Sequence, residues 1–336
     1  MAHLRAGLIG LGMMGRHHAR VLRALDGVDL VAVADPGGDP HKVAGDLEVL
    51  PHIEALIAAG VDYVTVAVPT IYHEDIALTL AEAGVHTLVE KPLAHDLESA
   101  IRVADAFEAK GLVGGVGHIE RYNPAVQNLR ARLENGDLGD IYQIVTRRQG
   151  PFPARIADVG VVRDLGTHDV DLAAWVAQST YSSISAQVAH QSGREHEDLV
   201  SITGLFANGT VANHLVNWLS PMKERMTVVT GERGAFVADT LTADLTFYAN
   251  GTVATTWDAI AGFRGVVEGD VTRFAIPKVE PLAAEHAAFR DAVLGKANNH
   301  VTMREGVETA SVIDAVLESA LTGTTILRTA TNAPSA

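Results

Sequence analysis

Three short stretches of this chain hold residue types whose spacing could do chemistry. The first is Gly10-Leu11-Gly12-Met13-Met14-Gly15, which leaves an apolar run and opens an amphipathic one. Glycines so spaced allow a tight turn, a bare backbone against a pyrophosphate and a helix N-terminus aimed at it. An acidic residue, Asp35, ends the next apolar run 20 positions after Gly15. A carboxylate there accepts hydrogen bonds from an adenosine ribose and repels a 2′-phosphate. The pattern predicts a nicotinamide dinucleotide, and NAD rather than NADP, because Pro36-Gly37-Gly38 places no Arg or Ser behind Asp35. A purely structural glycine turn is the bland alternative.

The second stretch is Glu90-Lys91-Pro92, at the end of an apolar run. Ligands of open α/β sheets bind outside the carboxyl ends of the strands, which suits Lys91 to a substrate. Alternatively, Lys91 is a surface lysine paired with Glu90. The third is Asp164-Leu165-Gly166-Thr167-His168-Asp169-Val170-Asp171. In a helix, Asp164 and His168 stand at i and i+4, and a carboxylate beside an imidazole suits general-base work. A capping aspartate with a half-buried histidine is the competing reading. His168, Asp169 and Asp171 have no further ligand at a recognisable spacing, so no metal is expected.

The elements that must position these residues follow from the hydropathy pattern. Leu4–Gly10, Leu30–Asp35, Tyr63–Pro69, Val85–Glu90 and Leu112–His118 read as buried parallel strands. Between them Ile76, Leu80 and Ala83, then Leu93, Leu97, Ile101, Ala104 and Phe107, fall at helical spacing and stop at Gly84 and Gly111. The alternation predicts an α/β Rossmann domain with a doubly wound parallel sheet over residues 1–120. Residues 121–330 are expected to form an α+β domain with a large, mostly antiparallel open sheet. It contains a helix ended by Gly136, a strand Ile141–Arg148 and a helix near 165–177. Strands fill 183–275, with Asn208-Gly209 and Asn250-Gly251 as hairpin turns. Two late helices carry faces at Leu282, His286, Phe289, Val293 and at Val307, Ala310, Ile313, Leu317.

Taken in order, GLIGLGMMGRHHARVL, VAVADP, VEKPLA, VGHIERYNP and DLGTHDVDLAAWV resemble the glucose–fructose oxidoreductase/inositol dehydrogenase/rhizopine-catabolism (Gfo/Idh/MocA) family over nearly the whole chain. In that family the EKP lysine and the Asp and His of DxxxH form the catalytic set, which the resemblance carries onto Lys91, Asp164 and His168. Gly10, Gly12, Met13, Met14, Gly15, Asp35, Pro69, Thr70, His73, Glu90 and Lys91 are the candidate cofactor contacts. His118, Tyr122 and Asn123 fall where family members line the nicotinamide and sugar pocket. The resemblance further implies assembly as a homodimer or homotetramer through the C-terminal sheet.

GHIERYNPAV, the arginine-bearing segment leading into Asp164, and VEPLAAEHAAF look most like the UDP-N-acetylglucosamine 3-dehydrogenases of the family. A diphosphate-bearing substrate needs cationic donors. Arg121, Arg147, Arg148 and Arg155 cluster in sequence; Arg147 and Arg148 point to opposite faces of a strand, and Arg148 and Arg155 are the substrate candidates. Ordinary ion pairs are the alternative for each. Oxidation of an inositol or a free sugar, a glycosidase that recycles its NAD, and a sensor that only binds the dinucleotide are the rival functions. His17 or His18 either touches the cofactor edge or packs its helix, and Trp175, Trp218 and Trp257 read as core or interface residues.

Composition closes off other classes. The 336 residues are 47% hydrophobic, enough for a full core, and the net charge is −15. Such a field disfavours nucleic acid and anionic lipid as partners. The absence of cysteine removes disulfides, thiolate metal sites and thiol nucleophiles, and agrees with a reducing, cytoplasmic location. Leu8–Met14 reads as a buried strand rather than a secretion signal, and no apolar run approaches a membrane span.

Overall fold

In the computed structural model, residues 3–153, 159–251 and 267–328 are described. Two compact units emerge, Met1–Ile119 with Glu280–Asp314 and Glu120–Val279 with Ala315–Ala336. The first opens with β1 (Leu4–Ile9), α1 (Met13–Ala24), β2 (Val28–Ala34), β3 (Val49–Leu50), α2 (Ile53–Ala58), β4 (Tyr63–Val66), α3 (His73–Glu82), β5 (His86–Glu90), α4 (Leu97–Ala109) and β6 (Gly114–Gly117). Its six strands stand in the order β3-β2-β1-β4-β5-β6, all parallel. The order reverses at β1, which places the crevice of a doubly wound sheet beyond the carboxyl ends of β1 and β4. β4 reads YVTV and is buried at all four positions, as a strand covered on both faces must be. The short β3 and α2 were not read from the sequence, because two residues of strand carry no periodicity.

The second unit contains α5 (Pro124–Glu134), β7 (Ile141–Pro151), α6 (Thr167–Ala177), β8 (Tyr181–Ala189), β9 (Leu199–Phe206), β10 (Val211–Asn217), β11 (Leu219–Gly231), β12 (Gly234–Asp239), β13 (Asp244–Gly251) and β14 (Val267–Arg273). Helices α7 (Pro281–Val293) and α8 (Met303–Thr322) and the short β15 (Ile326–Leu327) complete the chain. The nine strands run in the order β14-β13-β12-β11-β7-β10-β9-β8-β15. Every pair is antiparallel except β7 with β10. β9 alternates buried and open residues along its length, the signature of a sheet with one packed face.

Two expectations about boundaries change. Asn208-Gly209 turns the chain between β9 and β10, with Gly209 at φ +88°. Asn250-Gly251, by contrast, pairs with Glu268 and Val267 as the end of β13. The segment 280–314, assigned above to the second domain, packs within the first unit. Its Phe289 stacks edge-on against Tyr63, and Gly115 is bare where a Cβ would stand 3.0 Å from the Phe289 ring. Gly114 makes the same room for Met303. A late helix completing an early core is a non-local contact that periodicity cannot show.

Candidate active site

In the first unit the glycine turn joins β1 to α1. Gly10 has φ +94°, and a Cβ there would stand 2.4 Å from the Ala67 carbonyl oxygen. Gly15 lies so close beneath the turn that a Cβ would fall 1.9 Å from the Gly10 oxygen. Around Gly12, no heavy atom lies within 4 Å of a Cβ position. Two glycines therefore serve the turn, while the middle one leaves bare backbone open to a ligand. Gly12 also caps α1 without any side-chain hydrogen bond, and the first turn holds no acidic residue. The amides of that turn remain available to an anion, the ordinary site for a pyrophosphate.

Asp35 directly follows β2 and binds the glycine turn: its Oδ2 accepts the Leu11 N–H at 2.8 Å, while its Oδ1 accepts the Gly37 N–H at 2.8 Å. Each oxygen keeps a second lone pair for a ribose hydroxyl. Bare backbone, uncapped helix and oriented carboxylate together fit an adenine dinucleotide. Met13 and Met14 stand exposed beside Gly12, whereas Pro69 and Thr70 open a single turn of 3-10 helix after β4.

The Glu90-Lys91-Pro92 turn follows β5 and is clamped from two helices. From α3, the buried His73 sets Nδ1 2.8 Å from the Pro92 carbonyl oxygen and Nε2 3.0 Å from that of Val68. Burial pushes its pKa below the usual value, against those carbonyls. From α1, His18 places Nε2 2.8 Å from Glu90 Oε1, while Glu90 Oε2 accepts the Lys91 N–H at 3.0 Å. The Glu90 side chain is thus turned inward. His18, not a cofactor edge, is what the buried face of α1 presents, and His17 is exposed. His118, at the end of β6, is buried at 1% exposure.

In the second unit Asp164 lies in a turn of π-helix, Val162–Gly166, that runs directly into α6. Such wide turns recur at functional sites. His168 is 9% exposed. Arginines fix its helix: Arg121 holds Asp171 through two hydrogen bonds of 2.9 and 2.7 Å, and Arg148 Nε donates to Asp169 at 2.9 Å. Arg148 Nη1 donates to Glu120 at 2.8 Å, and Arg225 donates to the same oxygen. Burial opposes the Glu120 charge, but Arg148 holds the carboxyl below its usual range.

This geometry corrects the diphosphate role expected of Arg148. Its guanidinium is 2% exposed and committed to two carboxylates, so it braces α6. Arg147 does point to the other face, where it meets Glu224. Tyr122 and Asn123 are buried, and Asn123 caps α5 by accepting the Ala125 N–H while donating to the Thr240 carbonyl. Arg155 and Trp257 lie outside the described residues. Among the described residues, no cluster of three or more His, Cys, Asp or Glu could hold a metal ion.

Two family models match the chain: the oxidoreductase family with an NAD-binding Rossmann fold over residues 4–118, and the GFO/IDH/MocA C-terminal domain over residues 126–237. The chain belongs to the GFO/IDH/MocA family. It is an NAD-binding oxidoreductase. The UDP-N-acetylglucosamine 3-dehydrogenase of Acidithiobacillus ferrooxidans is 31% identical over 323 residues, covering 95% of this chain and 96% of that protein. The scyllo-inositol 2-dehydrogenase of Bacillus subtilis is 32% identical over 193 residues, 54% of this chain and 56% of its own length. Among solved structures, that of the Acidithiobacillus enzyme superposes with a TM-score of 0.82 at 27% identity, over 95% of this chain and 98% of that one. A Bordetella pertussis dehydrogenase solved with NADH and UDP-GlcNAcA shares the fold, with a TM-score of 0.80 at 21% identity over 98% of both chains.

Sequence reasoning missed the titratable groups buried behind the Glu90-Lys91-Pro92 turn. Glu285 and His286 occupy core positions of α7, beside Leu282 and Phe289. The signal was legible as a charged residue and an imidazole on an otherwise apolar helical face.

Proposed function

We propose that the protein oxidises a secondary hydroxyl of a nucleotide sugar of the UDP-N-acetylglucosamine type, at its 3-position, with NAD+ as acceptor. The observation that carries this reading is the match to a UDP-N-acetylglucosamine 3-dehydrogenase over 95% of this chain, where the inositol dehydrogenase match covers 54%. Bound NAD+ supplies a hydride acceptor at the nicotinamide. Gly10, Gly12 and Gly15 admit its pyrophosphate to the N-terminus of α1, with Met13 and Met14 alongside, and Asp35 takes the ribose hydroxyls. Pro69, Thr70, His73 and Glu90 frame the same crevice.

His168 removes the hydroxyl proton, and Lys91 places positive charge against the developing alkoxide, a stabilisation that is strongest where water is excluded. Asp164 orients His168 or a neighbouring hydroxyl. His118, Tyr122 and Asn123 line the sugar's surroundings, and Arg155 is the remaining cation assigned to the diphosphate. The supports for these roles are the family motifs at these positions and the rigid mounting of EKP and α6.

Assembly as a homodimer or homotetramer completes the reading. It is supported by the open face of the nine-stranded sheet, where the paired residues Leu205 and Val211, and Tyr248 and Val271, are exposed side by side. Inositol or free-sugar oxidation is the second reading, favoured by the inositol dehydrogenases matched over 54% and 58% of this chain. Purified protein with NAD+ and a panel of UDP-sugars, inositols and free sugars tests both by NADH absorbance. Turnover of a UDP-amino sugar alone supports the proposal, and turnover of inositol alone replaces it with the second reading. Bound NAD without NADH release moves the assignment to a recycling glycosidase or a sensor.

A further inference from the structure

Beneath the Glu90-Lys91-Pro92 turn runs a buried chain of titratable groups drawn from three separate segments. Glu90 ends β5, His18 lies on α1 and His286 on α7. Glu90 Oε1 lies 2.8 Å from His18 Nε2, and His18 Nδ1 lies 2.8 Å from His286 Nε2, the two rings meeting edge to face. Both imidazoles are 0% exposed. The other Glu90 oxygen accepts the Lys91 N–H. Gly117 of β6 leaves room for this carboxylate, since a Cβ there would stand 3.2 Å from Oε2.

The direction of the bonds is set by the carboxylate. An ionised Glu90 can only accept, so His18 Nε2 must carry the hydrogen. That holds whether His18 Nδ1 is bare and accepts from His286 or is protonated and donates to it. The Glu90 contact is therefore independent of where the remaining proton of the histidine pair resides. Burial disfavours the Glu90 charge. The His18 hydrogen bond and the Lys91 charge nevertheless keep its carboxyl below the usual value. Four titratable groups act on it, His18 from α1, His73 from α3, Lys91 beside it and Glu285 from α7, while His286 of α7 stands behind His18. Burial disfavours the charged form of His73, Glu285 and His286. Glu285 is pushed well above its usual value, with Glu90 adding to the shift, and His286 is held well below its own, with His18 adding.

We propose that His18 and His286 are positioning residues of the active site, pinning the Glu90 carboxylate against the backbone of Lys91. This rests on the reading of Lys91 as the cation that faces the reacting hydroxyl. Through the pair, a helix from the distant C-terminal part of the chain takes part in placing the lysine. The pair touches neither substrate nor cofactor in this account. Its effect travels through one carboxylate and one peptide N–H.

The test uses the whole protein in three variants. His18→Leu removes the donor, His18→Gln retains an N–H that reaches Glu90, and Gly117→Ala crowds the carboxylate without touching either histidine. Carbon-13 NMR of protein labelled at glutamate carboxyls, with Glu90→Gln to assign the resonance, follows the Glu90 titration directly. Its midpoint is expected to rise by about one pH unit or more in His18→Leu and to return toward wild type in His18→Gln. The acidic limb of kcat should move by the same amount and in the same direction. A Gly117→Ala variant should lower kcat and perturb the same resonance. An unmoved Glu90 midpoint in His18→Leu overturns the proposal. If His18→Leu does not fold, an unmoved Glu90 midpoint in His18→Ala overturns it instead. Failure of the Lys91 reading is separate: Lys91→Met would then keep its turnover, whereas the Glu90 titration would still depend on His18.

Discussion

Glu285 gives the sharpest test of how the first unit is built. Glu285 is 1% exposed, and neither carboxyl oxygen has a hydrogen-bond partner among the described residues. Burial, reinforced by the nearby Glu90 charge, keeps it protonated well above its usual value of 4.5. The unfolded chain ionises the same group near 4.5, so above that pH the native state binds one proton more than the unfolded state. Stability is then fully present below the unfolded value and declines as pH rises toward the native one, by about 1.4 kcal/mol per pH unit. Glu285→Gln keeps the shape and removes the titration. Relative to wild type, the variant should gain stability between pH 5 and pH 7 from this linkage, because only the wild type keeps a proton that its unfolded chain releases.

Trp175, Trp218 and Trp257 all belong to the second unit's span, so tryptophan fluorescence would report on the wrong part of the chain. Native-state hydrogen exchange at the β1 and β5 amides reads the first unit directly. A difference between variant and wild type that is the same at pH 5 and pH 7 would refute the reasoning, because it would mean that Glu285 is ionised in the native protein.

Four further outcomes are expected. His168→Ala should cut turnover by about 10²–10⁴-fold at an unchanged fold, measured as NADH production; a loss below about threefold removes its role as base. Gly15→Ala must force the turn apart, since its Cβ would meet the Gly10 oxygen, and NAD+ titration should show at least about a tenfold loss of affinity, the equivalent of 1.4 kcal/mol. Asp35→Asn removes the charge that opposes a 2′-phosphate, so the ratio of kcat/KM for NAD+ to that for NADP+ should fall. Arg148→Met leaves Asp169 and Glu120 buried without this partner and should destabilise the protein by about 3–5 kcal/mol in urea denaturation.

Much of the fold was written in hydropathy. Five of the six parallel strands of the first unit were legible because a strand covered on both faces is a continuous apolar run, and YVTV or HTLVE can be little else once helices flank it. Asp35 was legible because its distance from the glycine turn is set by one helix and one strand. Short elements such as β3 escaped, and Asn250-Gly251 carried turn residues into a paired strand. Local propensity yields there to the ladder that β14 offers.

By itself, the sequence determined the parallel nucleotide-binding architecture, the mostly antiparallel second sheet, the glycine turn with its acidic partner, and the EKP and DxxxH motifs. Each depends on spacing within one or two consecutive elements, and spacing survives in one dimension. Tertiary structure decided which charges are paired. Arg148 reads in sequence as a cation awaiting a ligand, and in space it is a buried brace between Asp169 and Glu120. Likewise His286 reads as one residue of an apolar helix face 268 positions from His18, and only the packing of α7 against α1 joins them. A buried polar group must find its partner wherever the fold brings one, and sequence distance places no limit on that search.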